Sequence, residues 1–211
     1  MSHNIELFNY WRSSCSWRVR WALHHKKIPF TSTPINLLKN EQQSNSFLQR
    51  NTTGQVPVLL VNGTHISESM AILEWLEENY PNNKLLPTST RDKAKARELC
   101  YTISAGIQPL QNLKVLKFAE AHGIPRNTWA SHWIDSGLAS IEEKIQTTAG
   151  TFAFGGTLSL VDLCLIPQIY SAKRFGINIG AFPTIERIYK YCLTLPACHK
   201  AAPEQQSDAV P

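Results

Sequence analysis

The chain opens with short apolar runs that alternate with segments of helical periodicity. Apolar or alternating runs predict strands, and apolar residues three and four positions apart predict helices. The predicted strands are residues 6–10, 30–35, 56–61 and 64–66, and the predicted helices are residues 14–25 and 69–80. The polar stretch 38–49 predicts at most a short irregular helix.

Two local signals constrain how these elements connect. The pair Asn62-Gly63 separates two apolar runs, and it indicates a hairpin because both residues tolerate positive φ. Pro34 has no N–H to donate. We therefore expect the second strand to lie at a sheet edge, or Pro34 to stand at the end of that strand. A β-α-β unit, a helix, a hairpin and a further helix predict an α/β thioredoxin-like domain over residues 1–82.

Strand patterns are absent after a proline-containing linker at residues 83–90. Apolar residues recur at helical spacing in segments 99–118, 129–145, 160–170 and 185–195. Residues 91–211 therefore predict an all-α domain. Ser159 and Asp162 form the pattern of a helix capping box. The tail 201–211 is predicted to be mobile or draped over the surface.

Composition narrows the class of protein. With 43% hydrophobic and 18% charged residues the chain is globular, and its net charge of +5 comes from scattered Lys and Arg and not from a nucleic-acid-binding stripe. No run is long enough to span a membrane, and the N-terminus lacks a signal peptide pattern. Five cysteines at irregular spacing suggest no disulfide framework, and the His and Cys residues lack metal-site spacing. These observations predict a cytoplasmic protein without a metal.

The turn between the first predicted strand and helix contains the strongest candidate chemistry, in Ser13, Ser14 and Cys15. The free N–H groups and positive dipole end of a helix stabilise a thiolate at this place. The thiolate can belong to Cys15 or to a small bound thiol. The alternative is structural, since a serine can cap the helix and Cys15 has core spacing with Val19 and Ala22.

Several stretches of the chain together match one enzyme family. They are residues 13–20 (SSCSWRVR), 34–38, 55–57, 106–113 (GIQPLQNL), 149–150, 162–168, 174–175 and 183–185. The first and fourth are the most specific. On these residues the chain resembles the zeta class of the soluble glutathione transferases, over nearly its whole length.

The resemblance implies glutathione as cofactor, and it implies that the all-α domain of residues 91–211 contributes the second-substrate site. Ser13, Ser14 and Cys15 are the implied catalytic residues, with Ser13 donating a hydrogen bond that favours the glutathione thiolate. Val56 would present its main-chain N–H and C=O beside a cis bond to Pro57. The implied glutathione contacts are Ser13, Ser14, Cys15, Gln43, Gln55, Val56, Pro57, Glu68, Ser69, Gln108 and Asn112.

The implied activity is isomerisation of maleylacetoacetate to fumarylacetoacetate in tyrosine breakdown, by thiolate addition, bond rotation and elimination. The substrate is a small dianion, and Arg12, Arg18 and Arg174 are its candidate partners. From the residues alone, Arg18 and Arg20 could equally be surface charges, and Arg174 could pair with a carboxylate. Gln108 and Asn112, four residues apart, could be a solvated stripe.

Other functions remain open at this point. Maleylpyruvate isomerisation and dehalogenation of α-halo acids use the same thiolate chemistry. A monothiol oxidoreductase would use Cys15 itself, although no C-x-x-C pair is present, and a non-catalytic scaffold would not need the Ser-Ser-Cys turn. The resemblance also implies a homodimer, which Met70, Leu73 and Trp75 would support as an apolar face.

Three residues depart from the class pattern. Glu68 stands where Gln is common, and Lys114 where a small polar residue is frequent. Lys27 stands where Gly often ends the first helix, so we expect Lys27 to have positive φ. The segment between Ile35 and Val56 is shorter than usual, which leaves the role of Gln43 open.

Overall fold

The computed structural model describes residues 4–210, which form two compact units. The first contains the chain up to Lys84 together with the segment from Leu195 onward, and the second is Leu85–Thr194. The outermost positions of the two predicted domains, residues 1–3 and 211, lie outside the described residues. The boundary between the two units at Lys84 and Leu85 falls within the predicted linker at residues 83–90.

The C-terminal segment corrects the predicted all-α domain of residues 91–211. From Leu195 onward the chain belongs to the first unit, where α9 (Pro196–Ala201) packs against α1 (Ser14–His25). Cys198 and Ala201 are fully buried there. The burial of these small apolar side chains explains why the described part of the tail is anchored and not draped loosely.

The first unit contains a four-stranded sheet in the order β2-β1-β3-β4. The strands are β1 (Ile5–Asn9), β2 (Thr31–Pro34), β3 (Val58–Val61) and β4 (Thr64–Ser67). β2 runs parallel to β1, and β3 is antiparallel to both β1 and β4. Pro34 is the last residue of an edge strand, as predicted. The third strand begins at Val58, two residues later than predicted, because Pro57 has no N–H for a strand ladder.

The helices of the first unit are α1, the short α2 (Asn45–Leu48), α3 (Ser69–Asn79) and α9. The periodicity predicted α1 and α3, whereas α9 was not predicted. Two 3₁₀ turns, Leu37–Lys39 and Glu41–Gln43, precede α2, so the predicted irregular helix is confirmed. The prediction that Met70 and Leu73 form an apolar face for a dimer is wrong, because both side chains are already buried in this unit.

The expected positive φ at Lys27 is confirmed, with a value of 56°. Lys27 follows α1 and donates its N–H to the His24 carbonyl, and Ile28 donates to the Leu23 carbonyl, which closes the helix end. The backbone of Lys27 therefore has a left-handed conformation, which Gly adopts without a steric penalty, and the Lys27 side chain is exposed.

Replacing Lys27 with glycine will therefore stabilise the protein. Relief of the left-handed conformation is worth about 1–2 kcal/mol, and the greater entropy of glycine in the unfolded chain offsets about half of it. We expect a net gain of roughly 0.5–1 kcal/mol in the free energy of unfolding, measured by urea denaturation. Lys27→Ala keeps the penalty and is the control. Equal stability of the two variants would contradict the argument.

The regular elements of the second unit, within its described residues, are helices, and an isolated β-bridge joins Ala149 and Gly155. Its helices are α4 (Thr90–Tyr101), α5 (Leu113–Ala121), α6 (Arg126–Ile145), α7 (Leu160–Arg174) and α8 (Pro183–Cys192). The continuous helix predicted over residues 99–118 is wrong. A π-helical turn, Thr102–Ile107, and a 3₁₀ turn, Gln108–Gln111, divide it, because Pro109 cannot donate to the helical ladder and Asn112 caps a new helix.

The predicted capping box at the start of α7 is confirmed. The Asp162 carboxylate accepts hydrogen bonds from the Ser159 N–H at 2.9 Å and the Ser159 hydroxyl at 2.8 Å, and from the Ala153 N–H at 2.7 Å. Burial raises the pKa of Asp162 to about 6, against the effect of these donors. None of the helices in residues 4–210 combines the length and the hydropathy needed to cross a membrane.

Candidate functional site

Strand register places three of the predicted segments at one edge of the sheet. Phe8 of β1 pairs with Val58 of β3, and Val58 pairs with Ser67 of β4. Because β3 runs opposite to its two neighbours, its first residue lies beside the last residues of β1 and β4. The turn to α1, the Val56–Pro57 bond and the start of α3 therefore meet at this edge.

The turn residues Ser13, Ser14 and Cys15 are all partly exposed. Ser13 is the N-cap of α1, and its Oγ accepts a hydrogen bond from the Ser16 N–H at 3.2 Å. Its own N–H donates to the Tyr10 carbonyl at 3.1 Å. The capping interpretation of Ser13 is thus confirmed, but it does not exclude catalysis. Capping uses the hydroxyl oxygen as an acceptor and leaves the hydroxyl proton for a sulfur anion.

The Val56–Pro57 peptide bond is cis, as the family resemblance implies. Val56 precedes β3, so its main-chain N–H and C=O lie outside the hydrogen-bond ladder of the sheet. The preceding Gln55 carbonyl accepts from the Asn51 side chain at 2.8 Å. This arrangement leaves the Val56 peptide groups at the sheet edge for an extended peptide-like ligand.

Gln43 lies next to the segment that leads to this cis bond. Its side-chain nitrogen is so close to Gly54 that a Cβ at Gly54 would approach it to 2.5 Å. Gly54 also has φ of +61°, so both space and backbone conformation favour glycine there. Gln43 is exposed beside Gly54, and its contact with glutathione stays a prediction.

The start of α3 combines a strained backbone with a buried hydroxyl. Glu68 has φ of 69° and ψ of 116°, and its side chain makes no capping hydrogen bond. Such a conformation is costly for a residue with a Cβ and is typical of ligand-binding segments. Ser69 is buried, and its Oγ accepts a hydrogen bond from Arg18 Nη1 at 3.2 Å.

The surface interpretation of Arg18 and Arg20 is wrong, since the two side chains are only 1% and 0% exposed. Arg18 lies under the first turn of α3 and not on an open face of α1. Its charge adds to the positive end of the α3 dipole, so the Ser69 hydroxyl and the helix start form a suitable place for a carboxylate. Periodicity missed this burial because arginine in a sequence ordinarily indicates a surface position.

The other predicted arginines have different surroundings. Arg12 is partly exposed, with its guanidinium 5.2 Å from the centre of the Trp11 ring. Arg174 is the last residue of α7 and is exposed, with its guanidinium 6.0 Å from the centre of the Phe175 ring. Neither side chain is buried in the way that Arg18 and Arg20 are.

Gln108 and Asn112 lie in the second unit and are half-buried. They do not form a solvated stripe on one helix, because Gln108 begins the 3₁₀ turn and Asn112 is the N-cap of α5. The Asn112 side-chain oxygen accepts from the Lys114 N–H at 3.3 Å. Lys114 itself is exposed in the first turn of α5.

The sequence analysis missed two polar residues that form hydrogen bonds with segments near the predicted site residues. They are Gln168, which contacts Gln111, and Asp208, which contacts Trp11. Gln168 is fully buried in α7, where its Oε1 accepts from Gln111 Nε2 at 2.6 Å. A single amide within an apolar helical run was the available signal for Gln168. Asp208 accepts from the Trp11 N–H at 3.1 Å, and nothing local in the sequence indicates this contact.

The described residues of the first unit fit a small peptide-like thiol with a free carboxylate. Ser13 offers a hydroxyl proton, Val56 offers its main-chain groups, and Ser69 offers a hydroxyl backed by Arg18 and a helix dipole. All three lie at one edge of the same sheet. Since β3 lies between β1 and β4, the groups follow in the order Ser13, Val56 and Ser69, which matches a ligand whose peptide bond lies between its thiol and a terminal carboxylate.

Comparison with known proteins supports this assignment. Residues 12–79 match the family model of the glutathione S-transferase N-terminal domain. A probable maleylacetoacetate isomerase 2 of Drosophila melanogaster is 42% identical over 207 residues, which cover 97% of this chain and 90% of the relative.

Two solved structures extend the comparison over both units. The maleylacetoacetate isomerase of Anaeromyxobacter dehalogenans, with glutathione bound in its active site, has a TM-score of 0.91 at 38% identity, covering 99% of each chain. A bacterial maleylpyruvate isomerase, described as a zeta-class glutathione S-transferase, has a TM-score of 0.94 at 33% identity, covering 97% of this chain and all of that chain. The chain belongs to the zeta class of the glutathione transferase family.

Proposed function

We propose that the protein is an enzyme that isomerises maleylacetoacetate to fumarylacetoacetate with glutathione as cofactor. The observation that carries the proposal is the meeting of Ser13, Val56 and Ser69 at one sheet edge, with the Ser13 hydroxyl proton left for a sulfur. The relatives named maleylacetoacetate isomerase support the choice of substrate.

Bound glutathione supplies a thiolate that adds to the cis double bond and leaves after the new single bond has rotated. Ser13 stabilises the thiolate by donating a hydrogen bond from its hydroxyl, while its oxygen accepts from the Ser16 N–H. Ser14 and Cys15 complete the polar wall of the turn. Val56 aligns the cofactor through its main-chain groups, which fixes where the sulfur lies.

The second substrate is a small dianion, and its carboxylates need cationic partners. Arg12 and Arg174 are the proposed partners, because Arg12 directly precedes Ser13 and is partly exposed, and Arg174 is exposed at the end of α7. A guanidinium binds a carboxylate through two parallel hydrogen bonds and also stabilises negative charge that develops on a neighbouring oxygen. Gln108 and Asn112 remain proposed contacts to glutathione.

Arg18 takes a different role from the one predicted for it. We propose that it strengthens the carboxylate site at the start of α3 through Ser69, where Glu68 would accept from the ammonium group of the same γ-glutamyl unit. The buried position of the Arg18–Ser69 pair increases its electrostatic effect over that of an exposed pair.

Replacing Ser69 with alanine will weaken glutathione binding by roughly 1–3 kcal/mol, measured by calorimetric titration. The loss arises because the carboxylate loses a donor and Arg18 loses an acceptor. Ser136→Ala is a matched control, since Ser136 is exposed on α6. An affinity equal to that of the wild type would remove Ser69 from the site.

Maleylpyruvate isomerisation is the second candidate, favoured by the TM-score of 0.94 to a maleylpyruvate isomerase. An absorbance assay of both substrates side by side, with glutathione or S-methylglutathione, separates the possibilities. We expect turnover of maleylacetoacetate with glutathione and none with the methylated form. A higher kcat/KM for maleylpyruvate would support the second candidate, and turnover without a free thiol would contradict both.

We further propose that the protein is a cytoplasmic homodimer. All five cysteines of the chain are free thiols, which is typical of proteins in a reducing compartment. The dimer rests on the family resemblance alone, since Met70 and Leu73 are buried within one chain. Light scattering at micromolar concentration will give twice the 23.8 kDa mass of the chain if the proposal is correct.

A further inference from the structure

The main chain of Trp11, two residues before Ser13, is hydrogen-bonded through both its N–H and its C=O. Its N–H donates to Asp208 Oδ2 at 3.1 Å, and its C=O accepts from Arg20 Nη2 at 2.9 Å. Asp208 lies 197 positions further along the chain, in the C-terminal segment that belongs to the first unit. The turn that carries Ser13 is thus held by the other end of the protein.

The Arg20 side chain extends this attachment. Its Nη1 donates to the Asn9 side-chain oxygen at 2.8 Å and to the Tyr10 carbonyl at 3.2 Å, and its Nε donates to the Ala201 carbonyl at 3.0 Å. One buried guanidinium therefore joins the end of β1, the turn and α9. Burial lowers the pKa of Arg20 to about 9, and the charge of Asp208 opposes this decrease.

We propose that Asp208 is a positioning residue for thiolate activation, acting through the Trp11 peptide on Ser13. The role of Ser13 itself rests on the proposed function. Trp11 is buried, so without Asp208 its N–H lacks an acceptor and the turn rotates to find one. Ser13 follows in the same turn, and a small displacement of a donor weakens its hydrogen bond to the sulfur steeply.

The hydrogen bond from the Trp11 N–H to Asp208 is expected to influence the thiol site and not the rest of the glutathione site. Val56 and Ser69 lie on other elements of the fold. The hydrogen bond between Asp208 and the Trp11 N–H does not involve either of them. Loss of Asp208 is therefore expected to affect the state of the thiol more than the affinity for glutathione. A purely structural role would instead lower stability and leave the folded enzyme unchanged.

The test compares Asp208→Ala, Asp208→Asn and Ser207→Ala in the full chain. Asn keeps a side-chain oxygen that can accept from Trp11, and Ser207 is an exposed neighbour. The measurements are the ultraviolet absorbance of the glutathione thiolate against pH, the glutathione Kd, kcat at saturating substrates, and amide hydrogen exchange at Trp11. All are made well below the unfolding temperature of each variant.

We expect Asp208→Ala to raise the pKa of bound glutathione, to lower kcat about five- to tenfold, and to speed exchange at Trp11, with Kd changed less than about twofold. Asp208→Asn should restore most of the thiol pKa and kcat, and Ser207→Ala should match the wild type. Faster exchange at Trp11 with an unchanged thiol pKa would overturn the proposal. A response of the thiol pKa in an enzyme inactive on maleylacetoacetate would contradict the proposed substrate and leave the role of Asp208 intact.

Discussion

Ser13→Ala will lower kcat for isomerisation about a hundredfold at saturating glutathione, whereas Cys15→Ala will lower it only severalfold. The reason is geometric. The Ser13 oxygen already accepts a hydrogen bond from the Ser16 N–H, which leaves its O–H to donate a hydrogen bond to a sulfur. Removal of one aligned donor to a developing or bound anion has an effect of this size.

Ser13→Ala also removes a helix N-cap, which by itself costs about 1 kcal/mol of stability. Ser89→Ala is the matched control, because Ser89 caps α4 by accepting from the Asp92 N–H at 3.0 Å and lies outside the thiol turn. Both variants should lose similar stability in urea denaturation, and only Ser13→Ala should lose activity.

The opposite ranking would change the mechanism. If Cys15→Ala is inactive and the wild type forms a mixed disulfide with glutathione, the enzyme is a monothiol oxidoreductase that uses Cys15. Mass spectrometry of the glutathione-treated protein detects that adduct directly. Absence of the adduct together with an inactive Ser13→Ala supports the isomerase.

Lys26→Met will reduce the free energy of unfolding by roughly 3–5 kcal/mol, the range for breaking a buried ion pair. Lys26 Nζ lies 2.7 Å from Glu77 Oε2 and donates to the carbonyls of Tyr80 at 2.8 Å and of Asn82 and Asn83 at 3.3 Å. It therefore supplies donors at the C-terminal end of α3, where main-chain carbonyls lack helical partners and a cation is favourable.

Methionine fills similar space but has no N–H to donate to these carbonyl oxygens or to the Glu77 carboxylate. Lys39→Met is the control, because Lys39 is exposed in a 3₁₀ turn and its loss should change stability by less than about 0.5 kcal/mol. Chemical denaturation of both variants measures the difference. A loss below about 1 kcal/mol for Lys26→Met would mean that water replaces the ammonium group.

Much of the first unit was predictable because its signals are local. The sheet strands, α1, α3 and the hairpin follow from apolar periodicity and from the Asn62-Gly63 pair. The positive φ of Lys27 followed from the family pattern at a helix end. The cis bond at Pro57 and the positions of Ser13 and Ser69 were implied by the resemblance, which carries information on tertiary structure that single residues do not.

The helical interruption at residues 102–112 was only partly visible. Pro109 signalled a break, but the apolar residues around it keep a spacing close to that of a helix, so periodicity favoured a continuous one. The choice between a helix and a π-helical turn followed by a 3₁₀ turn depends on packing against neighbouring helices. The Gln111–Gln168 hydrogen bond is one such contact.

By itself the sequence determined most strands and helices of the first unit, the order of an α/β half followed by a helical half, and the position of the turn at residues 13–15. These features depend on residues that are neighbours in the chain. Only the tertiary structure decided that Arg18 and Arg20 are buried and that the segment after Leu195 belongs to the first unit. A charged side chain enters a core only where distant groups accept its hydrogen bonds, as Ala201 and Trp11 do for Arg20. Such partners are brought together by folding, and no local pattern encodes them.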